Sequence, residues 1–262
     1  MFEDMMLRSL HVRSMRAGDL GAGHEPGLLF QASTVLALLD GRYDGDLSFA
    51  ELARHGDTGL GTLNGLDGEM IALDGQFFRA DEFGRISEIP PDAHTPFAVV
   101  TEFEPALSFD LGAVGNFEEL RSLLDGLIPG DSPAAAIRID GKFARITARS
   151  VPRQEKPYRH LDEVVAAQNI FEIESTTGSL VGFRFPIFSE GIEIAGYHLH
   201  YIDANRQRGG HLLDLKIESA TVGVATYSDL HVELPPGMDL ASPDLASRTH
   251  LAIEKAEGKK SG

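Results

Sequence analysis

The second half of the sequence is dominated by strand-like segments, and this feature constrains the fold most. Short runs rich in β-branched and aromatic residues alternate with turn residues, as is typical of strands. The first half mixes helical and strand patterns, without a regular alternation of the two. This order predicts an α+β fold with mixed or antiparallel β-sheets and a few helices, not a doubly wound parallel sheet. The predicted strands of the second half are Ile170–Ser175, Leu180–Phe185, Gly196–Asp203, His211–Val224 and His231–Leu234.

Five segments show helix signals. Ser48 is followed three residues later by Glu51, and Asn116 by Glu119, which is the spacing of a capping box. Ser242 is a suitable N-cap, and Pro243 after it suits the first position of a helix. The predicted helices are Leu28–Leu39, Ser48–Arg54, Asn116–Leu127, Leu161–Asn169 and Asp244–Ala256.

Two Asp-Gly pairs predict β-hairpins, because a tight two-residue turn needs positive φ at both central positions. Asp74-Gly75 would join Glu69–Leu73 to Gln76–Ala80. Asp140-Gly141 would join Ala134–Ile139 to Lys142–Arg149. A further strand is predicted over Pro96–Phe103.

The polar segment Val151–Tyr158 contains two prolines and is the predicted boundary between two tightly packed domains. Residues 1–155 would form an N-terminal α+β domain. Residues 156–262 would form a β-rich domain that binds a metal.

Charge and cysteine content narrow the function. Lys plus Arg is 23 and Asp plus Glu is 40, so the formal net charge is −17. Such a field repels nucleic acid and anionic membranes, so neither is an expected partner. With no cysteine in the chain, a metal must be bound by His, Asp or Glu. The N-terminus lacks the pattern of a signal peptide and no run is long enough to span a membrane, so a cytoplasmic location is expected.

The segment GYHLHYIDANRQRGGH contains the most informative histidines. Alternate residues of a strand share a face, so His198 and His200 would point to the same side. If the chain returns antiparallel after the turn, His211 falls opposite His200. Three imidazoles on a hairpin would bind a divalent metal and leave positions open for water or substrate. The alternative is a pair of ordinary histidines, either both on the surface or one in the core and one at its rim. A cupin site is disfavoured, because the glutamate that should follow the His-x-His pair is absent.

The segment GDTGLGTLNGLDGEM is rich in glycine and acidic residues. It lacks the Lys-Ser/Thr pair of a phosphate-binding loop. It is either a bulged strand with tight turns, or a place where backbone approaches a ligand, with Thr62 and Glu69 aimed at it. Arg149, at a strand end, suits carboxylate binding because its guanidinium gives bidentate geometry. A solvated strand end is the alternative, and Arg138, Arg145 and Arg153 compete for the role.

Four segments together resemble the acetolactate decarboxylase family. In chain order they are GLGTLNGLDGEM, ARSVPRQEKPY, GSLVGFRFP and GYHLHYID with RGGH. The resemblance extends over nearly the whole chain, from about Val35 to Glu257.

The resemblance implies a zinc ion bound by His198, His200 and His211, and a dimeric protein of two domains. It further implies catalytic roles for Thr62, Glu69, Arg149 and a glutamate of the C-terminal segment. Glu257 is preferred for that glutamate over Glu254. The expected reaction is decarboxylation of 2-acetolactate to acetoin and CO2, in a homodimer. A metal-dependent lyase or isomerase acting on another hydroxy-keto acid, and a non-catalytic metal-stabilised binding module, are the alternatives.

Overall fold

We describe the fold from a computed structural model, which describes residues 11–15, 27–128 and 134–234. The predicted helix Asp244–Ala256, which contains Glu254, and the following Glu257 lie outside these residues. The strands are β1 (His11–Met15), β2 (Leu28–Ala32), β3 (Leu47–Ser48), β4 (Thr58–Thr62), β5 (Glu69–Leu73), β6 (Gln76–Ala80), β7 (Ile86–Glu88), β8 (His94–Thr95), β9 (Ala98–Thr101), β10 (Leu107–Leu111), β11 (Ala134–Ser150), β12 (Asn169–Phe185), β13 (Gly196–Asp203), β14 (Gly209–Tyr227) and β15 (Asp229–Glu233). The helices are α1 (Val35–Leu39), α2 (Phe49–Leu52), α3 (Phe117–Leu127) and α4 (Leu161–Val165), with a 3-10 turn at Ile187–Ser189.

Two large sheets form the fold. The first has eight strands in the order β1-β15-β2-β9-β4-β5-β6-β7, and it is mixed because β15 runs parallel to both of its neighbours. The second has five antiparallel strands in the order β10-β14-β11-β12-β13. Strand β13 also pairs with β14, which closes four strands of this sheet into a barrel. The predicted α+β class with mixed sheets is confirmed.

The core is divided among the faces of these sheets. Inside the second sheet, Phe143, Leu180 and Tyr201 pack together, and helix α3 adds Leu120 and Leu124. The outer face of the second sheet packs against the first sheet through two other apolar clusters. The space between the two sheets is therefore a buried layer, and residues from both can meet there.

Several local predictions are confirmed. The hairpin of β5 and β6 has its turn at Asp74 and Gly75, with φ values of 53° and 76°. Ser48 and Glu51 form a complete capping box at the start of α2. Asn116 caps α3 through the backbone N–H of Glu119.

The predicted helix Leu28–Leu39 is wrong in its first half. Residues Leu28–Ala32 form β2, which lies between β15 and β9, and only Val35–Leu39 is helical. Ser33, with φ of 64°, separates the two elements. A short apolar run fits a buried strand as well as a helix, and the pairing partners decide between them.

The second predicted hairpin is also wrong. Asp140 and Gly141 lie inside the continuous strand β11, which pairs with β12 on one side and β14 on the other. A Cβ atom on Gly141 would lie 2.4 Å from the backbone oxygen of Ser219, so glycine is required here for close packing of strands, not for a turn. Similarly, the two strands predicted between residues 170 and 185 are one, β12.

The division into residues 1–155 and 156–262 stays a prediction. The sheets themselves exchange segments across it: β11 belongs to the second sheet and β15 to the first. None of the helices in the described part of the chain has both the length and the apolar character needed to cross a bilayer.

We expect the contact between the sheets to be a main source of stability. Ile71 is fully buried and belongs to the cluster that includes Val181 and Ile202 of the second sheet. Ile71→Ala should lower the free energy of unfolding by about 2–5 kcal/mol, because it leaves a cavity between the sheets. Urea denaturation measures the loss. Ile170→Ala is the matched control, since Ile170 is 58% exposed, and it should change stability by less than about 0.5 kcal/mol. Equal losses in the two variants would contradict the expectation.

Candidate active site

Three histidines meet on the face of the second sheet that is turned toward the first. His198 and His200 lie on one face of β13, and His211 of β14 is paired directly with His200. The predicted return of the chain is thus confirmed. The ring centroids lie 4.9–5.3 Å apart, and one ligand nitrogen from each ring lies within 4.8 Å of the others. All three side chains are buried.

The hydrogen bonds of these rings favour a metal ion. The Nδ1 atom of His200 lies 2.8 Å from the backbone oxygen of Met70 in β5, so it donates a proton there and leaves Nε2 for another partner. Among the described residues, neither Nε2 of His200 nor Nδ1 of His198 has a hydrogen-bond partner, although both atoms are buried. Buried polar atoms are almost always satisfied, and a metal ion bound by the three rings would satisfy these.

Burial also keeps the rings neutral. The pKa of His200 is lowered to about 3, mainly by loss of hydration; the hydrogen bond to the Met70 carbonyl opposes this effect and the nearby positive charge of Arg149 adds to it. Burial likewise lowers the pKa of His198 and the pKa of His211 well below the usual value for histidine. Neutral imidazole is the form that ligates a metal. The three histidines can therefore hold a metal ion at neutral pH.

The first sheet places a carboxylate against this group. Glu69 begins β5, and its Oε2 atom lies 3.6 Å from Nε2 of His200. This is not an ion pair, because His200 is neutral. Thr62, at the end of β4, is the pairing partner of Glu69. Its hydroxyl donates to the backbone oxygen of Gly68 at 2.8 Å, so toward a ligand it can only accept a hydrogen bond.

Arg149 completes a row across the second sheet. It is paired with His211 of β14, which is in turn paired with His200 of β13, so the three side chains share one face. Arg149 is buried, with 6% of the residue exposed. The competing arginines lie elsewhere: Arg138 binds Asp74 and Asp140, Arg145 binds Asp214, and Arg153 faces Asp67.

One cavity is lined by the side chains of all six predicted site residues that the structure describes. It has an empty volume of about 640 Å³, which includes open solvent at its mouth. Its polar lining consists of Thr62, Glu69, Arg149, His198, His200 and His211. The predicted residues of the described chain are therefore brought together, while Glu257 and Glu254 lie outside the described residues.

The remaining wall of the cavity is apolar and was not predicted. Helices α1 and α4 supply most of it, and His160 at the start of α4 contacts the backbone oxygen of Leu39 in α1 at 3.2 Å. Short amphipathic helices give no sequence signal that separates a cavity wall from ordinary core. The apolar lining residues are Val35, Leu38, Leu39, Leu66, Phe97, Val151, Leu161, Val165 and Ile194.

The glycine-rich segment forms a closely packed strand followed by a tight turn, and its approach to a ligand stays a prediction. A Cβ atom on Gly59 or Gly61 would lie 2.1 Å or 2.4 Å from a backbone oxygen of β9 or of Phe97 beside it, so these glycines allow close strand packing. The turn that follows contains Gly65 and Gly68 at positive φ. Thr62 and Glu69, at the two ends of this turn, nevertheless line the cavity.

The fold and the cavity define a class: a mixed-sheet protein with a buried three-histidine group that could hold a metal ion, beside a carboxylate and a guanidinium. The family model for alpha-acetolactate decarboxylase matches residues 29–247. The alpha-acetolactate decarboxylase of Methylococcus capsulatus is 42% identical over 257 residues, covering 97% of this chain and 98% of that protein. That of Klebsiella aerogenes is 42% identical, covering 90% of this chain and 91% of that protein.

A solved structure agrees with these relatives. The alpha-acetolactate decarboxylase from Bacillus subtilis strain 168 superposes with a TM-score of 0.82 at 36% identity, covering 88% of this chain and 99% of that one. The chain belongs to the alpha-acetolactate decarboxylase family, and its enzyme class is that of the carboxy-lyases. The resemblance predicted from the sequence is confirmed.

We expect the three histidines to bind a divalent metal with a measurable gain in stability. Zinc at a hundredfold excess over its dissociation constant should raise the melting temperature of metal-free protein by about 5 °C, because the ion binds only the folded state. His211→Ala should abolish this rise. His94→Ala is the control, since His94 is exposed and lies outside the cavity, and it should keep the full rise. A rise in the His211→Ala variant equal to that of the wild type would contradict the site.

Proposed function

We propose that this protein decarboxylates 2-acetolactate to acetoin and CO2 with a zinc ion held by His198, His200 and His211. The observation that supports this most is the presence of these histidines, Glu69 and Arg149 in one buried cavity of a chain from this family. Three neutral imidazoles with an adjacent open cavity are the donor set typical of catalytic zinc.

The metal ion, when bound, supplies Lewis-acid stabilisation of the negative charge that develops on the substrate oxygens. The substrate itself provides the path for the electrons. It is a 2-hydroxy-3-oxo acid, so the electron pair of the breaking bond between C2 and the carboxylate carbon moves toward the neighbouring ketone. CO2 leaves, and an enediolate remains until a proton is added at C2.

Arg149 is suited to orient the substrate carboxylate. Its guanidinium can donate two parallel hydrogen bonds to the two carboxylate oxygens. Because it lies in the same cross-strand row as His211 and His200, the carboxylate would be held beside the metal ligands. A buried cation also attracts an anionic substrate into a protein whose net charge is −17.

Glu69 is suited to deliver the proton. Its carboxyl group lies 3.6 Å from His200, in the layer between the sheets, and so reaches the same space as the metal ligands from the opposite side. In the protonated form it would give its proton to C2 after CO2 has left. Thr62 would accept a hydrogen bond from the substrate hydroxyl, since its own proton is donated to Gly68.

The alternatives differ in how well the cavity supports them. A non-catalytic metal-stabilised module would leave Glu69 and Arg149 away from the histidines, whereas both line the same cavity. A lyase or isomerase acting on another small hydroxy-keto acid would use the same groups, and substrate profiling distinguishes it. The homodimer, the cytoplasmic location and the part of Glu257 or Glu254 stay predictions.

Removal and return of the metal tests the reaction and its cofactor together. Purified protein should form acetoin from racemic 2-acetolactate, lose this activity after chelation, and regain it with zinc. His198→Ala should be inactive under all three conditions, because one of the three ligands is lost. Acetoin formation by His198→Ala at the wild-type rate would contradict the proposal.

Replacement of Glu69 tests the proton donor. Glu69→Gln should lower kcat by about 10²–10⁴-fold while zinc binding is retained, because the amide has a similar shape but no acidic proton to give. Steady-state kinetics with metal analysis measures both. Glu88→Gln is the control, since Glu88 lies on the exposed edge strand β7. Unchanged kcat in Glu69→Gln would remove Glu69 from the mechanism.

A further inference from the structure

The loop of residues 63–68 connects the two predicted reactive positions of the first sheet. It begins after Thr62 and ends before Glu69, and these two residues are pairing partners across β4 and β5. Leu66, at the tip of the loop, has φ of 51° and lines the cavity. This loop therefore leads directly into Glu69, the first residue of β5.

Asp67 holds this loop to its own sheet. Its backbone oxygen accepts a hydrogen bond from Nε of Arg79 at 2.7 Å, and its carboxylate accepts another from Nη2 of the same arginine. Arg79 is in β6, directly opposite Met70, whose backbone oxygen accepts the proton of His200. Arg79 thus joins the loop to β6, which pairs with β5, the strand of Glu69 and of the carbonyl bonded to His200.

The same loop also contacts the chain segment that follows Arg149. The other carboxylate oxygen of Asp67 lies 3.6 Å from Nη1 of Arg153. The next residue, Gln154, donates its backbone N–H to the backbone oxygen of Gly65 at 2.7 Å. Both residues follow closely on Arg149 in the chain. The loop that leads into Glu69 is therefore joined to the segment that continues from Arg149.

We propose that Asp67 is a positioning residue, which fixes Glu69 relative to Arg149 by holding the loop of residues 63–68 against residues 153–154. Asp67 does not line the cavity, so it acts through Glu69 and not on the substrate. The catalytic part of this inference rests on the proposed function. An ordinary ion pair at a partly exposed position would have little effect on either rate or loop motion.

The kinetic test compares two variants of the metal-loaded protein. Asp67→Asn should lower kcat by about tenfold or more, because Glu69 is displaced, and a displacement of about 1 Å is enough for such a loss. KM should stay within about threefold of the wild-type value, because Arg149 still binds the substrate carboxylate. Asp74→Asn is the matched control. It removes the ion pair between Asp74 and Arg138, which joins the turn of the β5–β6 hairpin to β11. Asparagine tolerates the positive φ of residue 74.

Hydrogen–deuterium exchange gives a second readout that does not depend on activity. Asp67→Asn should exchange faster than wild type in residues 63–69 and also in residues 151–155, whereas Asp74→Asn should exchange like wild type in both. Exchange unchanged in Asp67→Asn, or faster exchange together with wild-type kcat, overturns the proposal.

A second variant and the exchange measurement cover the cases in which Asp67→Asn does not fold or the wild-type protein is inactive. If Asp67→Asn does not fold, Arg79→Gln replaces it, with the same loss of kcat and the same faster exchange expected. If the wild-type protein forms no acetoin, the proposed function fails, and the exchange pattern alone decides whether Asp67 joins the loop to residues 151–155.

Discussion

The packing of the eight-stranded sheet on the outer face of the barrel is the contact on which the rest of the structure depends. Two apolar clusters, one of which also lines the cavity, hold the sheets together. Between them the sheets bury histidines, a carboxylate and a guanidinium, which neither sheet could remove from water alone. Burying such groups is costly unless they are paired or bind an ion. A metal ion in this layer would therefore contribute to both stability and chemistry.

The electrostatics of the site follow from this burial. The histidines are neutral because the layer between the sheets excludes water, and the positive charge of Arg149 reinforces the effect. Neutral rings, one of them fixed by the Met70 carbonyl of the opposite sheet, present their lone pairs to a cation. In a chain of net charge −17, Arg149 and a metal ion held by the histidines would be local positive centres for an anionic substrate.

Local patterns predicted some elements well and others poorly, for a physical reason. The turn at Asp74 and Gly75 depends only on the conformations these two residues allow, and it occurs as expected. The pair Asp140-Gly141 has the same local preference but lies within β11, because strands on both sides pair with it. The apolar run at Leu28 likewise becomes a strand because β15 and β9 lie beside it.

The sequence by itself determined the chemistry of the candidate metal site: the His-x-His spacing puts two imidazoles on one face of β13, and the absence of cysteine restricts the possible ligands to His, Asp and Glu. It also determined the family, through the order of its motifs. Only the tertiary structure decided that Glu69 and Thr62 come from the opposite sheet, and that helices α1 and α4 close the wall. The strand period places residues on a face, but which faces meet depends on the packing of whole sheets, and no local pattern contains that information.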